Sequence, residues 1–249
     1  MTGKGAVLIT GASAGLGQEM ARQFAALGYD LALCARRTDR LDTLAGQIRA
    51  ATGRRVETAE LDVTDHEAVA SVFQHFAGTF GRLDRVIVNA GIGKGAPLGT
   101  GRADANRATA MTNFVGALSQ CEAALDVFRR QERGHLVIIS SMSALRGMRR
   151  SMTTYAATKA GVASIAEGLR SERIKGLDVS VIYPGYIRSE MNAHVEQKTR
   201  FMVDSETGVR AMVAAIEKRR TRAYVPRWPW VPLAAAMKVL PLGVVRKLT

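Results

Sequence analysis

Short continuous apolar runs alternate along this chain with longer stretches in which apolar residues recur every three or four positions. The short runs at 6–10, 31–35, 56–61, 85–89, 135–140, 179–183 and 223–225 predict strands, and the stretches at 18–27, 40–51, 66–80, 103–130, 154–175 and 205–219 predict helices. The strand cores Val86-Ile87-Val88 and Val137-Ile138-Ile139 are apolar at every position, not at alternate ones. Strands of that kind are covered on both faces, and a strand–helix rhythm of this length places parallel strands between two helical layers. The pattern therefore predicts a single-domain α/β fold, a Rossmann-type doubly wound parallel sheet with helices on both faces, over residues 1–225.

Composition narrows the picture without changing it. The chain has 249 residues, with 47% hydrophobic and 23% charged, which argues against disorder and against a fibre. Cys34 and Cys121 fall in a strand-like and a helix-like run, and buried reduced thiols are expected for both. No stretch approaches the ~20 apolar residues that cross a bilayer, and the first residues carry no secretory pattern, so the expected location is cytoplasmic. Net charge is +13, and residues 218–249 hold eight Lys/Arg with no Asp/Glu. That segment, with both tryptophans and four of the six prolines from Pro226 onward, reads as a basic C-terminal extension, 226–249. Packing over a pocket or a second subunit, peripheral contact with an anionic membrane, and disorder are its three readings. Nucleic acid is not an expected partner, because no recognition motif accompanies the charge.

Chemistry collects near the ends of the predicted strands. Gly11, Gly15 and Gly17 follow the first strand as G-x3-G-x-G. Glycines there allow a tight turn and let backbone approach a pyrophosphate at a helix N-terminus. After the second strand, where an NAD-preferring protein places an acid, the sequence reads Arg36-Arg37. Two guanidiniums suit a 2′-phosphate, with Ser13 as a further donor; the alternative is a solvated arginine pair, poorly placed at a helix start. Tyr155 and Lys159 are one helical turn apart, and an ammonium beside a phenol favours phenolate, so the Tyr155 pKa is expected to fall towards neutrality. Asn89-Ala90-Gly91, Ser140-Ser141 and Pro184-Gly185 end the fourth, fifth and sixth strands, and Asn113 follows in the long helix.

In these motifs, taken together and in this order over about residues 4–225, the chain resembles the short-chain dehydrogenase/reductase family in its compact class of about 250 residues. The resemblance implies about seven strands, an NAD(P) cofactor, which the arginine pair narrows to NADP, and hydride transfer between the nicotinamide and a carbonyl or alcohol carbon. Tyr155 would be the general acid/base, Lys159 would hold the nicotinamide ribose, a serine would orient the substrate oxygen, and Asn113 would hold a water leading from Lys159 to solvent. Gly11, Ser13, Gly15, Leu16, Gly17, Arg36 and Arg37 would bind the phosphates. Asp62 and Val63 would meet the adenine, Asn89, Ala90 and Gly91 would support the cofactor, and Pro184, Gly185 and Ile187 would complete the set. The family serine commonly lies thirteen residues before its tyrosine, which here is Met142. Ser141 is chosen through a one-residue insertion in the loop, with Ser143 as the alternative.

The four histidines and two cysteines show no metal-ligand spacing; each histidine is expected at the surface or in a loop, and no metal is expected. Substrate-selecting walls are expected from loops 92–100, 142–154 and 186–203, the last read as a lid. Met142, Met148, Met152, Met191 and Met202 are candidates for an adaptable apolar pocket. A small carbonyl or alcohol substrate, lipid-like in one reading, is the expected partner, and the resemblance implies a homodimer or homotetramer. Two other classes stay open: an NADP(H)-binding regulatory or scaffold protein, and a membrane-peripheral lipid reductase.

Overall fold

The computed structural model describes residues 4–191 and 201–248. Seven parallel strands form one sheet in the order β3-β2-β1-β4-β5-β6-β7. They are β1 (Ala6–Thr10), β2 (Asp30–Ala35), β3 (Val56–Glu60), β4 (Arg85–Val88), β5 (Gly134–Ile139), β6 (Leu177–Pro184) and β7 (Arg222–Val225). The helices are α1 (Gly15–Ala26), α2 (Thr38–Thr52), α3 (His66–Phe80), α4 (Ala103–Ala110), α5 (Gly116–Gln131), α6 (Met152–Ser171), α7 (Ser205–Glu217), α8 (Arg227–Val239) and α9 (Leu242–Leu248).

Strand pleating sorts the apolar residues onto two cores. Val7 and Ile9 of β1 face Met20 and Phe24 of α1, Leu44 of α2 and Met212 of α7. Ala6 and Leu8 face the other way, towards Phe73 and Phe76 of α3, Cys121 of α5 and Val162 of α6. Both faces are covered, which is why the strands are apolar throughout. The strand order reverses between β1 and β4, the place where open α/β sheets leave a crevice at the carboxyl ends of their strands.

Several expectations are adjusted. The long helix predicted at 103–130 is interrupted by a π-helical turn, Met111–Val115, between α4 and α5. His135, expected at the surface, is fully buried in β5, because Arg85 and Ser180 satisfy both ring nitrogens inside the sheet. Cys34 and Cys121, by contrast, are free and buried as expected, and burial pushes the Cys121 thiol up to about 12. Residues 226–248 fold into α8 and α9, and Trp230, Ala234 and Met237 join the α3/α5/α6 core. Residues 192–200 of the expected lid, with His194, lie outside the described residues.

Candidate active site

The site is built at the carboxyl ends of β1, β4, β5 and β6. Thr10, the last residue of β1, ties its strand to the next: its hydroxyl accepts from the backbone N–H groups of Asn89 and Ala90, each at 3.0 Å. The Asn89 amide donates in turn to the Thr10 carbonyl at 2.9 Å. Helix α1 starts immediately beyond and lies against this seam. A Cβ on Gly17 would collide with the Gly11 carbonyl and the Asn89 amide, so only glycine permits that approach. No side chain caps α1 and no acid stands in its first turn, which leaves its backbone N–H groups aimed at the crevice.

The residues after β2 and β3 flank this end. Arg36 lies 3.7 Å from the Asp62 carboxylate. Burial pushes the Asp62 carboxyl up, but hydrogen bonds from Thr64 and the nearby Arg36 outweigh it, so its pKa lies below the usual value. Arg37 Nε donates to Ser13 Oγ at 3.2 Å, bringing a guanidinium and a hydroxyl together at the glycine loop. The same guanidinium and that of Arg40 hold the carboxylate of Glu190, from the segment after β6, at 3.2 and 2.7 Å.

At the other end stand Tyr155, Lys159, Ser141 and Asn113. Lys159 is buried, and its Nζ donates to the Ile139 carbonyl at the end of β5 at 2.9 Å. Ser140 Oγ donates back to the Lys159 carbonyl at 2.7 Å, pinning α6 to β5. Asn113, in the π-helical turn, clamps Ile92 by its main chain: Oδ1 accepts from the Ile92 N–H and Nδ2 donates to its carbonyl, both at 2.8 Å. Asn113 and Lys159 both face Gly91, where an added Cβ would stand 3.2 Å from Asn113 Oδ1 and 3.6 Å from Lys159 Nζ. Ser141 Oγ accepts from the N–H and hydroxyl of Ser143, at 3.2 and 3.0 Å. Ser143 is thus buried behind Ser141, whose side chain is close enough to Tyr155 to lower its pKa. Met142 turns into the core.

The Tyr155 pKa departs from expectation. Burial pushes the phenol above its usual value; Ser141 draws it back, and Tyr186 adds to the rise. Burial likewise pulls Lys159 down to about 8. The ammonium sits 5.9 Å from the phenol ring centre, hydrogen-bonded to Ile139. At that separation desolvation of each group outweighs their mutual attraction.

Loop 186–203 is expected to form a wall beyond Tyr155, but the contacts of Trp230 there are not foreseen. The Trp230 ring of α8 lies directly on Gly185, where any side chain would collide with it, and Tyr186 meets the same ring edge-on at 5.6 Å between centroids. Met191 lies over Gly93 and brings the segments after β4 and β6 together. Met148 packs on the core, while Met152 is exposed. Only the glycine of Pro184-Gly185 signals this packing in the sequence. Arg40 and Glu190 carry no local signal at all, being 150 positions apart. Among the described residues no cluster of His, Cys, Asp and Glu could hold a metal, and no helix is long and apolar enough to cross a membrane.

A doubly wound sheet with a glycine loop at its switch point and a Tyr–Lys pair on the neighbouring helix defines a Rossmann-fold oxidoreductase. Comparison with known proteins gives the family. The short chain dehydrogenase profile matches residues 5–200. An uncharacterized oxidoreductase of Mycobacterium tuberculosis is 53% identical over 97% of this chain and 96% of its own. A short-chain dehydrogenase from Sphingobium yanoikuyae in complex with NADPH is 27% identical and superposes with a TM-score of 0.83, over 98% of this chain and 94% of that one. A short chain dehydrogenase from Burkholderia cenocepacia in complex with NADP, 28% identical, gives 0.78 over 88% and 94%. The chain belongs to the short-chain dehydrogenase/reductase family of oxidoreductases.

Proposed function

We propose that this protein is an NADP-dependent reductase or dehydrogenase that acts on the carbonyl or alcohol carbon of an apolar substrate, with Tyr155 as general acid/base. The observation that carries the reading is the meeting of Ser141, Tyr155 and Lys159 beside the glycine loop, at the carboxyl ends of β4–β6.

The residues present fit the cofactor. The uncapped start of α1 suits a pyrophosphate. Ser13 and Arg37 suit a 2′-phosphate, and the carboxylate of Glu190 on Arg37 and Arg40 already stands in for an anion there. Two solved relatives hold NADPH or NADP, and the Arg36-Arg37 pair supports the same cofactor for this chain. When bound, the reduced nicotinamide supplies the hydride that the carbonyl carbon accepts.

The protein's own residues supply the rest. Burial keeps the Tyr155 phenol protonated near neutral pH, so its proton is available to the carbonyl oxygen as negative charge develops there. Ser141 offers a second hydrogen bond to that oxygen, held in place by Ser143. Lys159 uses one of its three N–H donors on Ile139, leaving two for a ribose hydroxyl and for stabilising the phenolate that follows proton donation. Asn113 fixes the backbone at Ile92, in the segment after β4. Tyr186, Met191 and Trp230 give the substrate side an aromatic and thioether character.

The test is consumption of NADPH against a panel of apolar ketones and aldehydes, with NADH in parallel. Turnover with NADPH at the lower KM is expected. Tight NADPH binding with no turnover on any substrate favours the regulatory reading, and no binding of either nucleotide rejects both.

The C-terminal helices support a second reading, in which the enzyme touches an anionic bilayer. Trp228 and Val239 are 77% and 81% exposed, on a segment without acidic residues. Flotation with phosphatidylserine-containing vesicles, lost in the Trp228→Ser/Val239→Ser double variant, is the expected result. Self-association is part of the main reading, since Met111, Phe114, Val115 and Leu118 are exposed along α4–α5. Light scattering that finds only monomer excludes it.

A further inference from the structure

The glycine-loop end of the crevice holds an anion of the protein's own. Glu190 belongs to the segment after β6, yet its two carboxylate oxygens accept separately from Arg37 at 3.2 Å and Arg40 at 2.7 Å, both on the far side of the glycine loop. Arg37 reaches in the same conformation to Ser13 Oγ at 3.2 Å. One guanidinium is thus shared between the loop hydroxyl and the carboxylate. Ser189, beside Glu190, lies close over Gly15, so the segment crosses the phosphate end of the crevice at this point.

We infer that Glu190 is a specificity-determining residue, an internal competitor that occupies Arg37 and Arg40 and must be displaced by the 2′-phosphate of the cofactor. The inference rests on the NADP reading above. A 2′-phosphate carries a charge of roughly −1.5 to −2 at neutral pH and calls on the same donors. A carboxylate and a phosphate cannot share one guanidinium without like charges meeting within a few ångströms. The Arg40 hydrogen bond first, against a small cost of desolvation, and then Arg37 hold Glu190 below the usual carboxylate range, so it competes as an anion throughout the neutral range. A ligand without the 2′-phosphate leaves the contact intact. Glu190 therefore lowers affinity for NADP(H) selectively and narrows the gap between the two nicotinamide cofactors.

The experiment is a calorimetric titration of wild type and Glu190→Gln with adenosine 2′,5′-bisphosphate and with 5′-AMP. Glutamine keeps the size and removes the charge. The bisphosphate is expected to bind Glu190→Gln about fivefold more tightly than wild type, the scale of an exposed ion pair, with 5′-AMP unchanged. Unchanged or weaker bisphosphate binding in the variant overturns the inference; weaker binding would mean that Glu190 orients Arg37 for the phosphate. The wild type decides the cofactor reading separately. Equal affinity for the two nucleotides in wild type rejects NADP preference, and a preference that then appears only in Glu190→Gln still upholds the competitor. Equal affinity in both proteins rejects both.

Discussion

The two ends of the same sheet hold two buried polar clusters of opposite design. At the amino ends of the strands, Arg85 of β4 donates from Nε to His135 Nδ1 at 3.0 Å and from NH1 to Glu217 at 2.7 Å. Tyr29 donates to the same carboxylate at 3.0 Å, and His135 Nε2 pairs with Ser180 Oγ at 2.8 Å. Since Arg85 can only donate, His135 Nδ1 accepts and its Nε2 carries the proton. Burial first, and then the charges of Arg85 and Arg219, pull the His135 pKa down to about 3, which fixes the neutral ring. At the carboxyl ends, Lys159 keeps two donors in reserve and the partly exposed Tyr155 phenol meets Ser141. The first cluster closes on itself and holds strands together. The second is left open towards the crevice, and open donors in a desolvated place are what a reacting oxygen needs.

The largest expected effect separates them by activity. Tyr155→Phe removes one hydroxyl from the open cluster. Turnover with NADPH should fall by about a thousandfold or more, within the range for a positioned acid, while NADPH affinity and the melting temperature stay near wild type. Comparable turnover in that variant would remove Tyr155 from the chemistry. The counterpart is Arg85→Ala, which leaves Glu217 without its buried cation and His135 without its donor. Stability should fall by about 3–5 kcal/mol in urea unfolding, as when one partner of a buried pair is lost, with kcat of the folded fraction unchanged. A stable Arg85→Ala would show that the closed cluster is not structural.

The closed cluster also has a pH signature. The folded His135 pKa, about 3, lies below its unfolded value of 6.5, so the unfolded chain binds a proton that the native protein refuses. Stability is therefore unaffected by this group above pH 6.5 and falls as pH drops from there towards 3, with a slope of up to about 1.4 kcal/mol per pH unit. In His135→Gln that slope should flatten, measured as the difference between the two proteins in urea unfolding from pH 7 to pH 4.

What could be foreseen from the residues follows the same division. The strands were legible to within two residues at their ends, because strands buried on both faces are plain apolar runs. The glycine loop stands out by its spacing, whereas Asn113, Tyr155 and Lys159 are singled out by resemblance to a family, and Ser141 against the family spacing, which falls on Met142. Buried polar residues inside strands were not legible: His135 looks like any histidine beside an apolar run until β4 and β6 supply its partners. The π-helical turn at Asn113 has no signature distinct from an ordinary helix. Contacts across long separations, Trp230 on Gly185 and Glu190 on Arg37 and Arg40, depend on the packing of segments whose periods say nothing of each other. The fall expected for the Tyr155 pKa was drawn from charge alone, and desolvation of the same two groups reversed it.

That reversal gives the last and smallest effect. Lys159 has a folded pKa of about 8 against an ordinary value of 10.5, so below pH 8 the native protein bears the full cost of an ammonium in a buried place. The unfolded chain binds more protons between pH 8 and 10.5, and stability attributable to this residue rises across that window. Lys159→Met keeps the length of the side chain and removes the charge. In the cofactor-free protein at pH 7 it should be more stable than wild type by about 1–2 kcal/mol, less than the full shift because the Ile139 carbonyl loses its donor. The advantage should shrink as pH rises towards 10.5, while NADPH turnover is lost at every pH. Urea unfolding at pH 7 and pH 10 gives the comparison. Equal or lower stability of Lys159→Met at pH 7 would mean that the ammonium is better accommodated than its burial implies. A gain in stability with a loss of turnover would show that the open cluster is held at a cost to the fold, as groups reserved for chemistry are.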